Sequence, residues 1–183
     1  MGGWKLQLSQ VYMFCFEEMQ VDEVFKWIWE TRCTNKWRVF AWLLAADRLN
    51  TRAMLRRRAM TLPNDDHNCS MCAHGVEESI EHLIFRCDFS VQCWDKLCVR
   101  WSVSGNRLQL IHETKTRWVG PMFMEVLIVG AWGIWKERNN KCFRGIEASI
   151  GSWVDRFRSD FELLKHRSKP NLESFILNFV ATL

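Results

Sequence analysis

The chain has no apolar run long enough to cross a bilayer. Its longest uncharged apolar stretch, Val126 to Trp135, is about half of the roughly 20 residues a membrane helix needs, and Gly130 and Gly133 interrupt it. The start, Met1-Gly2-Gly3-Trp4, lacks the apolar core of a signal peptide, and Leu6 breaks the myristoylation pattern. These absences lead us to expect an intracellular protein, nuclear or cytoplasmic and not secreted, with no membrane partner. In that setting cysteines stay reduced, which favours a metal over disulfides. A glycine-rich phosphate loop is missing, since Gly2-Gly3 is terminal. Zinc deaminases carry a His-x-Glu element upstream of Pro-Cys-x-x-Cys; here Asn68 precedes Cys69, and His82 comes after it. No internal repeat or low-complexity segment occurs.

Thiols and indoles are plentiful instead. The 183 residues include eight cysteines and eleven tryptophans, and 48% are apolar, enough for one domain, or one domain with added helices, around a sizeable core. Most of the indoles belong in that core, leaving few to stack on bases. The chemically pointed pattern is Cys69-x2-Cys72-x9-His82-x4-Cys87. Three thiolates and one imidazole make the closed tetrahedral set of a structural zinc site, with no position left for a catalytic water. Cys-x2-Cys lets one tight turn offer two sulfurs, and His-x4-Cys returns the other pair from a short helix and the loop after it. The competing readings are a redox dithiol at Cys69 and Cys72, which no strand–helix pattern supports, and buried thiols that only pack. Cys15, Cys33, Cys93, Cys98 and Cys142 fall in the packing class. His67 and His74 lie near the quartet but fit its spacing less well. Glu78, one turn before His82, is positioned to accept the ring proton the metal does not use, or is simply an acid at a helix start.

The net charge is only +4, but it is unevenly spread. From Lys36 to Arg58 there are seven basic residues against Asp47 alone, which leaves the rest of the chain slightly acidic. Arg48, Arg52 and Arg56 recur every four residues, with Arg57 and Arg58 adjoining, and would form one stripe if a helix reached back to Arg48. A solvated face is the plain reading of such a run. A phosphate-binding face is the functional one, because guanidinium makes paired charge-assisted hydrogen bonds to phosphate.

The patterning is mainly helical. We expect a poorly patterned segment over 1–20, with a possible strand around Tyr12, and a first helix from Asp22 to about Arg32. Trp37, Phe40, Ala41 and Leu44 recur at helix spacing, with Val39, Trp42 and Leu43 widening that face. Thr51 is a candidate N-cap for a short helix that turns Met54 and Leu55 inward. Short helices are expected over Glu77 to Leu83 and Ser90 to Trp101, with a polar linker at 102–117. A long helix follows from about Met122 to Phe143, whose Gly130 and Gly133 imply close packing, and then two amphipathic helices. One carries Trp153, Phe157, Phe161 and Leu164; the other carries Leu172, Phe175, Ile176, Phe179 and Val180. The expected domains are thus 1–20, a zinc-binding domain over 21–101, the linker, and a helical region over 118–183.

The string Phe40-Ala41-Trp42-Leu43-Leu44-Ala45-Ala46-Asp47-Arg48-Leu49-Asn50-Thr51-Arg52, followed by Leu55-Arg56-Arg57-Arg58, resembles the zinc-binding region after the reverse transcriptase of plant non-LTR (LINE-type) retrotransposons. Glu77 to Ser90, Cys93-Trp94 and Trp132 to Asn140 extend the resemblance in the same order, over about residues 10 to 145. It implies that Cys69, Cys72, His82 and Cys87 hold one structural zinc ion. It also implies that RNA or DNA is the partner, through phosphate contacts with Arg48, Arg52, Arg56, Arg57 and Arg58. Thr34-Asn35-Lys36-Trp37 replaces the usual proline–lysine turn, and the segment before Tyr12 is degenerate. A polymerase needs adjacent aspartates behind an aromatic-x lead to hold two metal ions; the only such pair, Asp65-Asp66, follows Pro63-Asn64. No stretch is long enough for palm and fingers or for an RNase H fold. The expected activity is therefore non-catalytic nucleic-acid binding, the alternatives being a zinc-stabilised protein-interaction module or a decayed fragment without selected function.

Overall fold

The computed structural model describes residues 21–60 and 63–183; the segment before Val21, including Cys15 and the expected strand at Tyr12, lies outside them. The described residues are mainly helical, and their only β pairing is an isolated antiparallel bridge between Asn68 and Glu77.

Helix α1 (Glu23–Glu30) starts where the Asp22 carboxylate accepts the Val24 N–H at 2.9 Å, and it buries Val24 and Ile28 one turn apart. Helix α2 (Asn35–Ala45) buries Trp37, Phe40, Ala41 and Leu44, the four positions its spacing marks. Its buried face is narrower than expected, because Val39 and Trp42 are 48% and 41% exposed. A turn through Asp47, at φ 54°, separates α2 from the short α3 (Arg52–Arg57). Thr51 caps α3 by accepting the Met54 N–H at 3.3 Å; Ala53 and Met54 are buried, and Leu55 only half so.

After the metal-site region come α4 (Asp88–Lys96), α5 (Arg107–Arg117), α6 (Phe123–Arg144), α7 (Ile150–Glu162) and α8 (Pro170–Ala181). Helix α5 corrects the linker expected at 102–117. Asn106 and Gln109 form a reciprocal capping box, and Leu110, Ile111 and Thr114 are buried on one side. The polar composition of that stretch belongs to the helix's outer face.

Helix α6 is the axis of the molecule. Buried residues run from Phe123 to Ile134, and the two glycines are sites of contact rather than of bending. A Cβ on Gly130 would fall 2.7 Å from the Trp94 ring of α4, and one on Gly133 would fall 2.7 Å from the Trp153 indole of α7. The Trp153 indole N–H donates to the Gly130 carbonyl at 3.1 Å across the same contact. Only glycine lets the two rings approach the α6 backbone this closely. Gly145, at φ 64°, ends the helix in the left-handed conformation.

On α7, Trp153, Phe157 and Phe161, then Leu164, are fully buried, and Ile176 of α8 packs over them. One continuous apolar cluster runs from Val24 through Trp94 and Ile134 to Ile176. The C-terminal helices therefore share the core of the metal-site half.

Candidate metal centre

The metal-site loop is a short hairpin closed by three backbone contacts. Cys69 N–H donates to the Val76 carbonyl at 2.7 Å, Glu78 N–H to the His67 carbonyl at 2.9 Å, and Asn68 bridges Glu77 between them. Cys69 and Cys72 sit in the turn of that hairpin, and Gly75, at φ 64°, reverses the chain behind them. The Met71 N–H points at Cys69 Sγ from 3.4 Å, an arrangement that favours a thiolate.

His82 and Cys87 come from a widened helical turn over Glu81–Arg86. The Cys87 N–H donates to the His82 carbonyl at 2.7 Å, five residues back. At 3.6 residues per turn, side chains five apart diverge by about 140°, and an i→i+5 turn brings them towards one side. The carbonyls this turn leaves open are met from α4, where the Ser90 hydroxyl donates to Leu83 O and the Trp94 indole N–H donates to Ile84 O at 2.6 Å. Leu83, Ile84 and Phe85 are buried beneath it, so the ligand-bearing turn is seated on the core.

The four donor atoms lie within 4.8 Å of one another. Cys69 Sγ and Cys87 Sγ are 3.8 Å apart, matching the edge of about 3.8 Å of a tetrahedron with metal–sulfur bonds of about 2.3 Å. Cys72 Sγ lies 3.3 Å from His82 Nε2, slightly inside the roughly 3.6 Å expected for a sulfur–nitrogen edge. Cys69, sharing its proton with Cys87 in a buried setting, is pushed up to about 12. Cys87 is held below the usual thiol range by that same hydrogen bond from Cys69. A bound divalent ion would replace the shared proton and stabilise both thiolates. The three sulfurs and one imidazole nitrogen thus fit zinc, and such a set supplies folding energy rather than chemistry on a substrate.

The other metal-capable side chains lie elsewhere. His67 pairs with Asp65 at 2.9 Å, and His74 with Asp88 at 2.6 Å. Cys33 and Cys93 are buried, as packing thiols should be, but Cys98 is exposed and Cys142 half-buried, with its Sγ 3.1 Å from the Ser70 hydroxyl.

Glu78 has a different role from the one expected. Rather than meeting the His82 ring, its fully buried carboxylate accepts two hydrogen bonds from Arg138 of α6, at 2.5 and 3.1 Å, and one from the Arg52 N–H at 3.0 Å. Its backbone carbonyl also accepts the Ala53 N–H at 3.1 Å, so Glu78 caps the start of α3 while anchoring α6. Arg138 was not anticipated. Its signal was its phase: it falls four residues after Ile134 on the buried side of an apolar helix, where an isolated charge requires a partner.

The arginine run is likewise redistributed. Because α3 begins only at Arg52, Arg48 lies on the preceding turn and no single stripe forms. Arg52 is a clamp, its guanidinium donating to Asp66 Oδ2 at 2.6 Å and to the Asp66 and Asn68 carbonyls at the foot of the hairpin. Arg56 lies 2.8 Å from Glu77, Arg57 lies 2.7 Å from Asp47, and Arg58 donates to the Asn50 side chain at 3.0 Å. Arg48 is exposed and has no acidic partner among the described residues.

These features make a Cys3His set that could hold a metal ion, built onto a helical core. Residues 7–94 match the family model described as zinc-binding in reverse transcriptase, so this part of the chain is a reverse-transcriptase zinc-binding domain. The match stops within α4, and α5 to α8 lie beyond it. No curated protein and no solved structure matches the chain. Among the described residues no helix is long and apolar enough to cross a membrane.

Proposed function

We propose that this domain binds one structural zinc ion and, through phosphate contacts, RNA or DNA, as a non-catalytic intracellular accessory to reverse transcription in a LINE-type element. The observation that carries the reading is the placement of Arg48, Arg56, Arg57 and Arg58. All four are exposed on one turn and short helix that Thr51 and Glu78 hold rigid, directly beside the metal hairpin. Their acidic neighbours do not close the face. Exposed ion pairs are worth about 0–1 kcal/mol each, and a phosphate replaces a carboxylate at such sites with paired hydrogen bonds. Arg52 is withdrawn from the phosphate-binding set because its donors hold the hairpin.

The test is a salt titration of binding to single- and double-stranded RNA and DNA. Each phosphate contact contributes a slope of about 0.7–0.9 in log affinity against log salt. Replacing Arg48, Arg56, Arg57 and Arg58 by alanine should flatten the slope and leave the metal in place. Binding that is weak even at low salt and indifferent to these changes would remove the nucleic-acid reading. A protein-interaction module is the second reading, and the exposed indoles favour it. Trp29 and Trp42, 49% and 41% exposed, line an apolar groove of about 700 Å³ with Phe25.

A further inference from the structure

Helix α1 is apolar on two sides, and only one of them is covered. Val24 and Ile28 face the core. Val21, Phe25 and Trp29, spaced four apart, line the open groove of about 700 Å³ together with Trp42 of α2 and its C-cap Ala46. Val21, Trp29 and Trp42 are exposed and Phe25 is half-buried, with the Phe25 and Trp42 rings 6.4 Å apart. An uncovered apolar patch of this kind marks an interaction site rather than ordinary surface. Two charged side chains stand on its rim. The Asp22 carboxylate is taken up by the Val24 N–H and the His112 ring, each at 2.9 Å. Lys26 meets Glu30 only at 4.0 Å, with both side chains exposed.

The chain itself leads into this groove. Val21, the first described residue, is part of its wall, and the family match starts upstream, at residue 7. Residues 7–20 therefore belong to the same domain as α1 and α2. They carry Val11-Tyr12-Met13-Phe14-Cys15-Phe16, an unbroken apolar run, followed by Glu17 and Glu18. Leu8, Tyr12 and Phe16 recur every four residues, a spacing that keeps side chains on one face of a helix and of a strand alike. The stretch from Phe16 to Val21 reaches at most about 17 Å when extended, so Phe16 cannot lie far from the groove wall.

We infer that this groove is the docking site of the chain's own residues 8–18, with Tyr12 and Phe16 set against Trp29 and Trp42, and the acids at 17 and 18 beside Lys26. The match is one of apolar run to apolar groove and of carboxylate to ammonium. Tethering favours this occupant over a free one, because a short linker holds it at an effective concentration in the millimolar range. Ala46 directly precedes the turn that carries Arg48, so the docked segment packs behind the arginine turn. The inference does not rest on the nucleic-acid reading. It gives the groove behind the second reading an occupant within the chain.

The experiment uses the full zinc-loaded chain. In hydrogen exchange of the unaltered protein, amides of residues 11–16 should be slowed at least about tenfold against a free peptide of the same sequence. Fluorine resonances of the fluorotryptophan-labelled chain, assigned by Trp29→Phe and Trp42→Phe, locate the contact. Combining Tyr12→Ser with Phe16→Ser should shift the Trp29 and Trp42 resonances and leave those of the buried Trp94 and Trp153 in place. Adding a peptide of residues 7–20 to that variant should return the two resonances. If Trp94 and Trp153 move as well, the milder Tyr12→Ser is read by the same criterion. Unprotected amides over 11–16 overturn the inference and leave the groove to a separate protein partner. Trp29 and Trp42 resonances that ignore the substitutions overturn it too, because the segment then docks elsewhere. Protection that falls on dilution, with light scattering showing a dimer at the higher concentration, overturns it in favour of a second copy of the chain.

Discussion

Glu78 and Arg138 are sixty positions apart in sequence and joined by a two-point hydrogen-bonded ion pair, with side chains 0% and 4% exposed. The pair ties the base of the metal hairpin to the long helix α6, which lies outside the segment that matches the family model. Arg138 also sits 5.0 Å above the Trp135 ring, so the guanidinium is stacked as well as paired. Removing one partner leaves a buried charge uncompensated. Arg138→Ala should therefore cost about 3–5 kcal/mol in urea unfolding of the zinc-loaded protein. Combining Arg138→Met with Glu78→Gln should cost less than the two singles added, because glutamine still accepts the Arg52 N–H. A double-mutant cycle with no coupling would show that the pair does not act as a unit.

Metal content follows from the ligand set. One zinc ion per chain is expected by elemental analysis, and Cys72→Ser or Cys87→Ser should release it. Amide exchange should then accelerate first in residues 65–90, where the hairpin and the widened turn depend on the ion, while α6 and α7 stay protected. Simultaneous loss of protection across the whole core would show instead that the ion organises all of it.

Gly130 and Gly133 offer a test of the α6 contacts. Alanine is worth about 1 kcal/mol over glycine inside a helix. Here each added Cβ would meet an indole at 2.7 Å. The expected outcome of Gly130→Ala or Gly133→Ala is a net loss of about 1–3 kcal/mol, seen as a fall in thermal midpoint of a few degrees per kcal/mol. A rise in midpoint would mean the rings can withdraw without loss of packing.

Stability should also decline on the alkaline side. Burial pushes the Cys33 thiol up to about 12, with the nearby Glu125 carboxylate adding to the effect, whereas an unconstrained thiol titrates near 9. The thiol's contribution is fully present below pH 9 and is lost as pH rises from about 9 to 12, by up to about 1.4 kcal/mol per pH unit. Buried Cys93 is shifted in the same direction. Urea midpoints measured from pH 8 to 10.5 should fall, and Cys33→Ala should make the fall shallower. Identical pH profiles for the two proteins would exclude Cys33 as a source of the decline.

Features carried by spacing along the chain were legible in the sequence. Cys69, Cys72, His82 and Cys87 meet because a tight turn and one widened helical turn bring them together, and both are local. The faces of α2 and α7 follow from helical periodicity, since the same period that spaces Trp37, Phe40 and Leu44, or Trp153, Phe157 and Phe161, also aims them at the core. Thr51 was legible as a cap because its partner is three residues away.

Only the tertiary structure decided which charges pair. Glu78 stands near His82 in sequence but gives its carboxylate to Arg138, because burial leaves it no solvent and α6 brings a buried guanidinium against it. Arg52 belongs by sequence to a basic run, yet its donors close the hairpin sixteen residues on, at Asn68. Residues 107–117 look polar because their exposed and half-buried positions carry mostly charged and polar side chains, while their helix is set by a cap at Asn106 and by burial of Leu110 and Ile111. Local periodicity selects helices and ligand spacing through short-range geometry. The partners of a buried charge are set by desolvation, which depends on whatever the rest of the chain packs against it.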